Sequence, residues 1–140
     1  MRRYYFDTSA AVKMIRAEEH SVDVKRWVSD PEVEAASSSL LELEMRRAVM
    51  RWGLPQEEAT RTLANFQLFS VPDWEFKAAG LMPVATLRSL DAIHVAAAIR
   101  IGADAIITYD ERMIEAAALM GLPAIQPGVD DADRVTLVDA

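Results

Sequence analysis

Short apolar runs alternate along the chain with stretches in which apolar residues recur every three or four positions, and this alternation divides it into strands and helices. Arg3 to Phe6 reads as a strand, after which Thr8 or Ser9 can cap a helix through Met14 and Ile15. A helix over Ser21 to Val28 sets Val24, Trp27 and Val28 on one side and stops before Asp30-Pro31. Val33 to Ser37 reads as a second strand. Ser38 or Ser39 then opens a helix over Leu40 to Trp52 that Gly53 ends, with Leu41, Met45, Ala48 and Trp52 at helical spacing. Pro55 opens a helix to about Phe66, Phe69 to Val71 is a short strand, and Asp73 to Leu81 is a helix that ends before Pro83.

The last third is the most regular. Ser89 to Ile101 is an alanine-rich helix closed by Gly102, and Ala105 to Tyr109 is a buried strand. Asp110 begins a helix through Met120, Gly121 closes it, and Leu122 to Ile125 is a short strand. Strand and helix in repeated succession predict an α/β fold, a parallel sheet covered on both faces. Residues 1–127 are expected to form one domain. Residues 128–140 are an acidic extension in which Val135 to Val138 is either a tail or an added edge strand.

Composition narrows the chemistry. A chain of 140 residues, 51% hydrophobic, is long enough to bury one core. It shows neither a membrane-spanning run nor a signal-peptide pattern, so a cytoplasmic protein is expected. There is no cysteine, and His20 and His94 are the only histidines, which points any bound metal to oxygen ligands. The formal charge of -7 argues against nucleic-acid binding by general electrostatics. It leaves room for a nuclease, because carboxylate-bound divalent ions can supply the positive charge that a phosphate requires.

Asp7 and Asp110 each follow a predicted strand, the place where open parallel sheets bind ligands. Two carboxylates so placed repel one another unless one is protonated or a cation bridges them, and a hard ion such as magnesium or manganese suits an oxygen-only shell. Each also has a simpler explanation as the cap of the helix that follows it. Asp91 can complement a helix dipole, and Glu44 can pair with Arg47. Glu42, about 200° from Glu44 around the helix, competes with it, and spacing does not choose between them. His94 reads as a core or supporting residue rather than a base. The isolated glycines form no nucleotide-binding fingerprint.

Four segments together resemble the PIN domain family, and more closely its VapC-type toxin ribonucleases. They are Phe6-Asp7-Thr8-Ser9-Ala10, the run from Ser38 to Ala48, Arg88-Ser89-Leu90-Asp91-Ala92-Ile93-His94, and Ile107-Thr108-Tyr109-Asp110. The resemblance spans Tyr4 to Pro127. It implies a three-layer α/β/α sandwich with parallel strands ordered 3-2-1-4-5. It selects Glu44, followed by Arg47 and Ala48, over Glu42. It also implies a catalytic and metal-binding set of Asp7, Glu44, Asp91 and Asp110, supported by the hydroxyls of Thr8, Ser9 and Thr108.

The activity so implied is magnesium- or manganese-dependent cleavage of RNA by the toxin of a toxin-antitoxin pair, a homodimer held in check by an antitoxin protein. Arg46, Arg47 and Arg51 are candidates for RNA or partner contacts. Two rival readings stand beside it. An aspartyl-phosphate phosphatase or receiver-like protein would also use an aspartate after the first strand, but needs a lysine after a later strand, and the chain has only Lys13, Lys25 and Lys77. A catalytically silent interaction module would keep the fold without the acidic quartet.

Overall fold

The computed structural model describes residues 1–129 and the backbone of residues 134–136. Its six strands form one sheet ordered β3-β2-β1-β4-β5-β6: β1 (Arg2–Phe6), β2 (Val33–Ser38), β3 (Gln67–Phe69), β4 (Ala105–Ile107), β5 (Ala124–Gln126) and β6 (Arg134–Thr136). The first five are parallel in the expected order 3-2-1-4-5, and β6 adds antiparallel to β5. Asp130 to Asp133 and Leu137 to Ala140 lie outside the described residues.

Among the described residues seven α-helices lie between the first five strands: α1 (Thr8–Ala11), α2 (Ser21–Ser29), α3 (Ser39–Arg51), α4 (Gln56–Leu63), α5 (Asp73–Gly80), α6 (Ser89–Arg100) and α7 (Glu111–Leu119). Alternate side chains of each strand enter opposite layers, as a pleated strand requires. Tyr4, Phe6, Ala35, Ala105 and Ile107 pack with α1, α2, α3 and α4. Tyr5, Ala36, Ile106 and Ala124 pack with α6 and α7 on the other face. Helices on both faces complete the three-layer sandwich.

The element boundaries depart from the sequence expectation where local chemistry competes. The first helix lasts only from Thr8 to Ala11 before tightening into a 3-10 turn over Val12–Met14. Its cap is Asp7 rather than Thr8 or Ser9, with Asp7 Oδ1 accepting the Ala10 amide at 3.1 Å. Thr8 and Ser9 cannot cap, because their hydroxyls are turned to Glu44 and Asp7. The third strand lies at Gln67–Phe69 instead of Phe69 to Val71. Its register is set by Ala36, Ser37 and Ser38 of β2, so pairing overrides the apolar run. The long α3 follows its pattern: Ser38 caps it, Leu41, Met45, Ala48 and Val49 are buried, and Gly53 leaves it at a φ of 67°.

Candidate active site

Strand β1 sits at the centre of the sheet, and the order reverses between it and β4. Phe6 pairs with Ile107, and the Asp7 amide donates to the Ile107 carbonyl at 3.1 Å. The residues after the two strands, Asp7 and Thr108, therefore meet at the switch point, and Thr108 Oγ1 donates to Asp7 Oδ2 at 2.6 Å. Asp7 is 2% exposed, and its Oδ1 also accepts from the Ser9 hydroxyl at 2.8 Å. Burial pushes its carboxyl up to about 6, against the opposing pull of His94 and of the hydrogen bonds from Thr108, Ser9 and Ala10.

Glu44 reaches the same edge from α3. Its Oε1 accepts from the Thr8 hydroxyl at 2.5 Å and lies 2.6 Å from His94 Nε2. Burial disfavours its charge, but the His94 contact and the Thr8 hydrogen bond outweigh that and hold the carboxyl below its ordinary value. Glu42 is exposed and pairs with Arg46 at 3.1 Å, one turn along the helix. Asp91, in the first turn of α6, is held above its ordinary value by burial and then by the charge of Asp110, with Arg88 pulling the other way. Asp110 caps α7 through Oδ1, which accepts the amides of Arg112 and Met113. Capping and membership of the acidic group thus coexist in both Asp7 and Asp110.

Sequence reasoning gave no role to Arg88, whose guanidinium lies between two of these acids, 3.5 Å from Asp91 and 3.7 Å from Asp110. The only signal was its place three residues before Asp91, an ordinary helical pairing distance. It also gave no role to the Tyr5 hydroxyl, which reaches Ser38 at 2.9 Å and His94 Nδ1 at 2.6 Å. Among the candidate cations, Arg46 is engaged by Glu42, Gln56 and Thr60. Arg47 and Arg51 are exposed, and with Thr8, Leu43, Glu44 and Leu90 they line a cavity of about 440 Å³ beside the acids.

Among the described residues, no three acidic or histidine side chains converge closely enough to enclose a metal ion. The donor chemistry nevertheless fits a hard cation. Burial and the charges of Asp110 and Glu44 raise the proton affinity of Asp91, and the Arg88 guanidinium lies between Asp91 and Asp110.

The fold and this edge define an α/β protein with acidic side chains near the switch point of a parallel sheet. Residues 4–119 match the PIN domain family, and the chain belongs to it. It is 34% identical over 131 residues to Ribonuclease VapC47 of Mycobacterium tuberculosis, covering 89% of this chain and 96% of that one. Its fold is similar to the crystal structure of Mycobacterium tuberculosis VapC20, a sarcin-ricin loop cleaving toxin, with a TM-score of 0.68 and 18% identity over 81% of this chain and 94% of that one. A toxin-antitoxin complex from Klebsiella pneumoniae aligns with a TM-score of 0.63 and 19% identity, covering 79% and 89% of the two chains.

Proposed function

We propose that the chain is a metal-dependent endoribonuclease, the toxin of a toxin-antitoxin pair, acting in the cytoplasm. What supports this reading is that Asp7 and Asp110 follow the paired strands β1 and β4, that Thr8 beside Asp7 binds Glu44, and that Arg88 spans Asp91 and Asp110. Relatives named as ribonucleases over nearly their full length support the substrate class. No helix among the described residues is long and apolar enough to cross a membrane.

In this reading the four carboxylates hold magnesium or manganese. Bound there, the ion supplies positive charge to the scissile phosphate and to the departing oxygen. The chain's own groups prepare the site. Thr108, Ser9 and the Ala10 amide fix Asp7, while Thr8 holds Glu44. Arg47 and Arg51 contact backbone phosphates of the RNA along the adjoining cavity. Water is the nucleophile, so no side chain becomes covalently attached. The partners are an antitoxin protein and a second copy of the chain. Exposed Trp74, Phe76, Leu81 and Ile99 offer apolar surface for such contacts.

An RNA cleavage assay with added manganese tests the reading. Activity is expected in the wild type, and loss of activity with chelator and in Asp7→Asn and Asp91→Asn. Cleavage that survives chelation, or that persists in both variants, would sink the mechanism. Sedimentation is expected to give twice the 15.5 kDa chain mass.

A further inference from the structure

The inner side of Glu44 is tied to buried polar groups that the cleavage chemistry does not call upon. His94 is 1% exposed and joins Glu44 Oε1 through Nε2 and the Tyr5 hydroxyl through Nδ1, each at 2.6 Å. Tyr5 in turn reaches Ser38, the cap of the helix that carries Glu44. One imidazole thus links α6, the central strand and both the start and the interior of α3. An ionised carboxylate can only accept, so the proton in the His94–Glu44 contact belongs to Nε2. At Nδ1 the ring meets the Tyr5 hydroxyl, which donates to Ser38 Oγ and so ties the ring to the start of α3. Burial keeps the Tyr5 hydroxyl protonated at neutral pH. Both contacts made by Glu44 fall on Oε1, and among the described residues Oε2 has no hydrogen-bond partner.

We propose that His94 is a positioning residue for Glu44: its Nε2–H, with the ring oriented by Tyr5, holds Oε1 and leaves Oε2 for a cation at the acidic side chains. This rests on the metal-site reading above. A ligand held on one oxygen keeps a single orientation, and loss of such a supporting partner typically lowers metal affinity by about 10- to 100-fold.

Two measurements on the full chain test the role. In metal-free protein, long-range proton–nitrogen spectra of the His94 ring should show a proton on Nε2 that shifts in Glu44→Gln. A bare Nε2, or a signal indifferent to Glu44→Gln, overturns the proposal. Calorimetric titration with manganese, without RNA, should show His94→Phe weakened by about 10-fold or more. His94→Gln, whose amide N–H can reach roughly where Nε2 stood, should recover most of the affinity that His94→Phe loses.

Wild-type affinity in His94→Phe, or a Gln variant no better than Phe, overturns the role. If His94→Phe does not fold, Tyr5→Phe substitutes for it, with weakened binding expected and unchanged binding overturning the proposal. A wild type that binds no manganese defeats the metal site and this inference together. A wild type that binds normally beside an indifferent His94→Phe defeats only the positioning role.

Discussion

Asp7 has two duties at once, and its burial sets their cost. Its carboxyl is raised from 3.8 to about 6, so between these values the unfolded chain gives up the proton while the folded chain retains it. Stability of the metal-free protein therefore falls as pH rises from about 4 to 6, by roughly 3 kcal/mol if the whole shift is expressed. Asparagine still caps a helix but carries no charge. Asp7→Asn is expected to melt several degrees above wild type at pH 7 without metal, with the difference closing near pH 4. Thermal melts across that range check it. Glu44 and Glu42 make a second residue-level contrast. Glu44→Gln should weaken manganese binding and Glu42→Gln should not, since Glu42 faces solvent and Arg46; the reverse order in calorimetry would reassign the site.

Among the elements, α5 and α6 are joined by Glu75, wholly buried, and Arg100, which also donates to the Ser70 carbonyl at 2.8 Å. Truncating the cation leaves a buried carboxylate unpaired. Arg100→Met should lose about 3 to 5 kcal/mol in denaturant unfolding, more than a surface pair would. Much of the element order was legible because it depends on local signals. Gly53, Gly102 and Gly121 stop helices at positive φ as expected, and α6 begins at Ser89 as its pattern predicts. The third strand was displaced because its position depends on β2 across the sheet, not on its own apolar residues. For the candidate site, the acidic residue types and the placement of Asp7 and Asp110 after strands could be read, while spacing left Glu44 and Glu42 in competition. Arg88 between two acids, and Arg46 tied to Gln56 and Thr60, depend on contacts between elements that spacing does not encode.

For the molecule as a whole, a net charge of -7 limits what non-specific attraction to RNA can contribute. Binding should depend on a few local contacts. Using Asp7→Asn to prevent cleavage, Arg47→Ala and Arg51→Ala are each expected to reduce the slope of log affinity against log salt by about 1, and Arg46→Ala to leave it unchanged. The hydrogen bond from Thr108 to Asp7 spans 101 positions of sequence, and Asp110 arrives two residues later. β1 can pair with β2 while the chain is still short, but its other edge waits for β4. During synthesis from the amino end, this edge of the sheet is consequently among the last parts to be assembled. A chain cut short before β4 would lack the pairing that brings Thr108 and Asp110 to Asp7.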